Sequence, residues 1–150
     1  MRIRYSSEIA SPPEVVFPWI AEPEKAMQWQ KNVKGGGIII EKPEIIGTTF
    51  KETIEEGGNT LEMQGVITEY KPKQFIGFHL KSRIHEFDVR YLVEEAQQAT
   101  KLSIELDINW KFPMNIMSLF IGKKMEASLI NQINAEVLEL KKLCKQVHHE

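Results

Sequence analysis

The chain has 150 residues, 42% of them hydrophobic and 27% charged, the balance of an ordinary globular domain and not of a disordered one. Its net charge is −2, from 19 basic and 21 acidic residues, with no basic block of the kind a nucleic-acid partner needs. One cysteine excludes an intrachain disulfide, no window holds the ~20 apolar residues of a transmembrane helix, and the first residues lack a signal-peptide core, so a cytoplasmic protein is expected.

Arg2 to Ala10 alternates, with Ile3, Tyr5 and Ile9 set among Arg2, Arg4, Ser6 and Glu8, and predicts a first strand. Ser11-Pro12-Pro13-Glu14 predicts a helix start, with Ser11 as cap, Pro12 at the first helical position and Glu14 completing a capping box. Pro18 lies inside that helix, which should be short or kinked. Glu22-Pro23-Glu24 opens a second short helix ending near Trp29. Gly35-Gly36-Gly37 is followed by the β-branched run Ile38-Ile39-Ile40 and not by a helix. The glycines are expected to form a flexible turn and not a phosphate cradle.

Strands are expected over 47–56, 60–70, 74–81, 84–94 and 100–112, with Gly57-Gly58-Asn59 as a hairpin turn. The last alternates most cleanly, with Leu102, Ile104, Leu106, Ile108, Trp110 and Phe112 opposite Lys101, Ser103, Glu105, Asp107, Asn109 and Lys111. Such alternation belongs to an antiparallel sheet with one wet and one buried face. Gly65 and Gly77, inside strands, mark bulges or bends that help the sheet curl.

From Met114 to Val147 the chain is free of proline, and Met117, Ile121, Met125, Leu129, Ile133, Val137, Leu140, Cys144 and Val147 recur at threes and fours. This predicts one long helix of ~50 Å. Its early apolar positions do not align with its later ones, so a bend or break is expected near Gly122-Lys123-Lys124. A sheet followed by one long amphipathic helix is an α+β arrangement in which about seven strands fold over that helix.

Strand, two short helices, six strands and a long helix: this order resembles the helix-grip fold of the START and birch-pollen-allergen (SRPBCC) superfamily. The segments Ser11-Pro12-Pro13-Glu14-Val15-Val16-Phe17, Glu22-Pro23-Glu24-Lys25 with Trp29, Gly47-Thr48-Thr49-Phe50 and Gly65-Val66-Ile67-Thr68-Glu69-Tyr70 with Pro72 resemble its polyketide cyclase/dehydrase branch. Tyr91-Leu92-Val93 and Thr100-Lys101-Leu102 match the late strands of that branch, and the likeness spans about Ile3 to Cys144. It implies a single domain with a cavity between the sheet and the long helix, gated by the short helices. Shape does not choose a reaction in this superfamily, whose members carry lipids, bind hormones, cyclise polyketides or assist other proteins.

Read by strand parity, Phe50, Glu52, Met63, Ile67, Phe78, His85, Phe87, Tyr91 and Trp110 form the inner wall, with Trp29 at the gate. Met117, Phe120, Ile121 and Met125 should stand opposite on the helix. A wall of aromatics and methionines suits a small hydrophobic ligand such as a lipid, polyketide or aromatic metabolite, although plain core packing uses the same residues. Candidates for acid–base work are Glu52, His85 and Tyr91, but His85 and Tyr91 are ~20 Å apart along one strand and cannot serve one reacting atom.

Cys144 lies on the apolar stripe and reads as an inert buried thiol. His79 stands alone, His148 and His149 adjoin the end of the sequence, and Lys123-Lys124 and Lys141-Lys142 with Lys145 read as a solvated face. Metal spacings, a GxSxG elbow and cofactor motifs are absent from the sequence, so neither metal nor cofactor is expected. Three functions stay open: a hydrophobic-ligand binder, a cyclase or dehydratase-type enzyme using the same cavity, and a protein-interaction or assembly accessory module. Monomer and homodimer are equally open.

Overall fold

The computed structural model describes the backbone of residues 1–56 and 58–149, and the side chains of 1–55 and 58–145. The order is β1 (Arg2–Ile9), α1 (Pro13–Ala21), α2 (Pro23–Ala26), β2 (Val33–Ile40), β3 (Thr49–Glu56), β4 (Asn59–Lys71), β5 (Phe75–Lys81), β6 (His85–Ala96), β7 (Ala99–Trp110) and α3 (Met114–His149). The strands form one antiparallel sheet in the order β1-β7-β6-β5-β4-β3-β2. Every neighbour from β2 to β7 is the next strand in the chain, which hairpin connections allow, and β1 closes onto β7. This is the expected α+β helix-grip architecture.

Several local expectations need correcting. Helix α1 begins one residue late: Pro12 occupies the cap position, Pro13 is the first helical residue, and no side chain caps the end. Ser11 is instead buried, and its carbonyl accepts the Thr100 hydroxyl at 2.7 Å, tying the start of α1 to the start of β7. Gly35, Gly36 and Gly37 are not a turn; they lie within edge strand β2, paired with Thr53, Glu52 and Lys51. Gly36 adopts a φ of 151°, and a Cβ there would run into the Lys51 carbonyl, so the glycine permits the close approach of β3. Of the expected hairpin turn, Gly57 lies outside the described residues, while Gly58 turns with φ 82° and Asn59 already belongs to β4.

Helix α3 runs unbroken for 36 residues, with no interruption at Gly122. Its mismatched apolar positions are accommodated by exposure: the early turns stand in solvent, so nothing requires them to line up with the buried later ones. The side chains of Val147, His148 and His149 lie outside those described.

Gly77 does mark a bulge, for the β4–β5 register shifts between Ile67 and Glu69 opposite it. Gly65 makes no bulge; its missing side chain leaves room for the Phe50 ring from β3. The main core gathers Ile9, Val16, Phe17, Trp19, Ile20, Trp29, Ile76, Val93, Leu102, Ile104, Val137, Leu140 and Cys144. It therefore sits where α1 and the second half of α3 meet β1, β6 and β7. The sheet is gripped at that end. Among the described residues no helix is long and apolar enough to cross a membrane.

Candidate functional site

Strand pairing decides which side chains share the concave face. Phe50 opposes Gly65, Gly65 opposes Leu80, Leu80 opposes Phe87 and Phe87 opposes Ile108. Ile67, Phe78 and Val89 make a second row, while Ile76, Tyr91 and Ile104 make a third. Glu52 with Met63, and His85 with Trp110, complete the face. All nine residues expected on the inner wall thus lie on one side of the sheet, because side-chain direction alternates with period two. This is the side packed by α1, since Val93, Ile76 and Ile104 belong to the core with Val16 and Trp19.

An aromatic series crosses this face. Trp29 meets Tyr91 edge-on at 6.3 Å between ring centroids, Tyr91 meets Phe78 at 6.2 Å, and Phe78 meets Phe50 at 5.6 Å. Each pair is near-perpendicular, the arrangement the ring quadrupoles favour. Trp29 is buried and donates its indole N–H to the Trp19 carbonyl at 2.8 Å, which fixes the ring where α2 returns toward the sheet. Tyr91, Phe78 and Phe50 remain only partly buried.

Polar groups collect at Tyr91. Its phenol is held well above the ordinary tyrosine range by burial first, then by the charges of Glu136 and Glu52, with a hydrogen bond from the Gln30 side chain acting in opposition. Burial raises the carboxyl pKa of Glu52. Glu136, on α3, is buried and shifted upward for the same reason, opposed by Gln132, whose amide donates to it at 3.3 Å, and by the Lys31 backbone N–H and side-chain charge. Two carboxyls whose proton affinity burial raises and one phenol face the same aromatic wall. They can donate hydrogen bonds to a ligand oxygen, or hand over and recover a proton.

The charges of Glu52 and Glu136 and the side chain of Gln30 all act on the Tyr91 phenol, and Glu136 and Gln30 are the members that sequence reasoning missed. Glu136 had a signal: it precedes Leu140 by one helical turn and so occupies the rim of the apolar stripe. His85 belongs elsewhere. It stacks on Trp110 at 5.1 Å and shares a 2.6 Å hydrogen bond with the Ser82 hydroxyl, and burial, aided by the Lys111 charge, lowers its pKa. Met63 is buried, while Ile67, Phe87 and Trp110 are half-buried.

The helical side of the expected wall differs most. Met117 and Ile121 leave nearly half their surface to solvent, Phe120 leaves 83%, and Met125 is partly buried. Phe120 does not face the sheet across a closed hollow. Helix α3 packs on α1, β1 and β7, with Val137, Leu140 and Cys144 of its later turns in the core, while its first turns are exposed. Along the concave face burial falls from Trp29, which is buried, to Tyr91, Phe78 and Phe50, which are only partly buried. A separate groove of about 580 Å³ lies beside Pro13, Pro72 and Phe75, and none of the expected ligand residues lines it. Cys144 is buried as expected, its thiol pushed up to about 11 by that burial. His79, far from being alone, bridges Asp88 at 2.7 Å and Glu86 at 3.2 Å on the outer face.

A family model described as "Activator of Hsp90 ATPase homolog 1-like protein" matches residues 10–137. Among solved structures, the protein TTHA0849 from Thermus thermophilus superposes with a TM-score of 0.81 at 13% identity, over 98% of this chain and 99% of that one. A START superfamily protein from Mycobacterium smegmatis gives 0.80 at 15% identity, over 97% and 98%. The Zhui aromatase/cyclase from Streptomyces sp. R1128 gives 0.79 at 11%, over 97% and 94%. At such identities the likeness is one of fold, and it bears out the START-like and cyclase-like resemblance at that level. No curated protein matches the sequence.

Proposed function

The chain belongs to the activator of Hsp90 ATPase homolog 1-like protein family, and from that premise we propose that it binds a small, mostly apolar molecule in the trough between sheet and long helix. The observation that carries the reading is the partly buried series Tyr91, Phe78 and Phe50, ending at the polar group of Gln30, Glu52, Tyr91 and Glu136. Burial of ligand carbon on the aromatic wall drives association at about 25 cal/mol per Å², before ordering costs. The polar end then orients one hydroxyl or carbonyl of the ligand. A ring or chain bearing a single oxygen function, as in a lipid, a polyketide or an aromatic metabolite, fits this division.

Native mass spectrometry of the purified protein tests it directly, with a co-purifying small molecule expected. Titration with the apolar fluorophore N-phenyl-1-naphthylamine supplies the second arm: Phe78→Ala should weaken binding several-fold and Trp29→Ala should weaken retention. Unchanged affinity in both variants would refute the site.

A second reading, a cyclase or dehydratase-type enzyme, draws support from the upward-shifted Glu52 and Glu136 carboxyls beside Tyr91. Raised proton affinity is what a carboxyl needs to act as a general acid. Under that reading Glu136→Gln and Glu52→Gln abolish turnover of a polyketone chain while changing its affinity little. Under the first reading they alter affinity alone. The assembly-accessory reading rests on the name of the family, and on this chain its surface would be the outer sheet face that carries His79, Glu86 and Asp88. A cytoplasmic location is part of the proposal.

A further inference from the structure

The first turns of α3 carry an apolar surface that the fold leaves unused. Phe112, Leu119 and Phe120 are 76%, 81% and 83% exposed, and Ile116 is half-exposed beside them. Folding gains nothing from such side chains, and a contiguous patch of this kind on a water-soluble domain marks a docking surface. Its charge says what docks. From Lys111 to Met125 the sequence holds three lysines and no carboxylate, on a chain whose net charge is −2. Ile116, Phe120, Lys123 and Lys124 fall within one or two helical turns of one another, at spacings of three and four, so the two exposed lysines share the helix face of the exposed phenylalanine. Lys111 donates to the Ser82 carbonyl at 2.7 Å, which anchors the base of the segment on the sheet.

We propose that this end of α3 is a peripheral membrane-docking site for an anionic lipid bilayer. Phe112, Leu119 and Phe120 enter the boundary between headgroups and acyl chains, and Lys123 and Lys124 meet lipid phosphates. A second copy of the chain fits the surface less well. In a two-fold pairing about Phe120, Lys123 and Lys124 would lie over Ile116 and Met117 of the other copy, with no carboxylate in either segment to answer them. A bilayer offers apolar depth and negative charge at once. The helix lies in the interface plane, and the exposure of its first turns lets it do so without unfolding. The proposal stands on this helix face alone, so it is separable from whatever the trough holds.

Co-sedimentation of the whole protein with vesicles tests it. The protein should pellet with phosphatidylcholine–phosphatidylglycerol vesicles and stay in solution with phosphatidylcholine alone, and high salt should release it. K123Q/K124Q should lower the partition coefficient ~25-fold, at about fivefold per lysine. L119E/F120E should abolish pelleting while the circular dichroism spectrum and N-phenyl-1-naphthylamine binding stay as in the wild type, because both side chains touch little of the fold. Two results would overturn the proposal: wild type that ignores anionic vesicles, or L119E/F120E that still pellets with them. A concentration-dependent dimer that L119E/F120E dissolves would also overturn it, by showing that a second copy covers the face.

Discussion

Exchanging Glu136 for glutamine should make this protein more stable at neutral and alkaline pH, and only there. Glu136 is 9% exposed, and burial raises its carboxyl above the ordinary 4.5. A carboxyl whose pKa is higher in the folded than in the unfolded chain binds its proton more tightly when folded. Its favourable contribution is complete below the unfolded value and is lost as pH climbs through the folded one. Above that window the folded state carries the full cost of a buried charge, and Glu52 contributes with the same sign. Each unit of displacement is worth about 1.4 kcal/mol. For a chain of this size each kcal/mol moves Tm by about 2–4 °C. Glu136→Gln keeps the shape and a hydrogen-bonding group for Gln132 while removing the charge. Thermal melts from pH 4 to pH 9 should superpose on wild type at the acid end and run several degrees higher at the alkaline end. A variant that melts lower than wild type at pH 8, or keeps the wild-type pH slope, would refute the argument that this carboxylate is strained by burial. The same exchange is expected to cost ligand affinity, the usual trade between a stable site and a working one.

Other expectations are independent of that one. Leu140 is fully buried in the core, so Leu140→Ala should lower stability by ~2–5 kcal/mol in urea melts, whereas Leu138→Ala, at a half-exposed position, should cost far less. A Cβ on Gly65 would press on the Phe50 ring, with Cε2 only 2.6 Å away, so Gly65→Ala should cost ~1–3 kcal/mol and most of that should vanish in a Phe50→Ala background. Cys144, buried with its thiol pushed up to about 11, should react with a thiol reagent only as fast as the chain opens, and urea should raise that rate in step with unfolding.

The sheet was the most legible part of the chain because period-two alternation is a local property. Once Ile104, Leu106 and Ile108 face the core, parity assigns Trp110, and the same rule places Phe50 with Glu52 and Phe87 with Tyr91. Glycine was read less well, since its meaning depends on what approaches it. Gly77 fits a bulge, Gly65 makes room for a ring, and Gly36 lets a neighbouring strand come close, all with the same absent side chain.

Sequence alone determined the order of strands and helices, the face each strand residue occupies, the long terminal helix and the burial of Cys144, because all of these follow from local periodicity and turn chemistry. Only the tertiary structure decided that Glu136 of α3, Gln30 after α2 and Glu52 of β3 all act on Tyr91 of β6. It also decided that Phe120 stands in water. A helix pattern records which face is apolar but not which turns find a partner, and here the later turns are buried while the first ones are exposed.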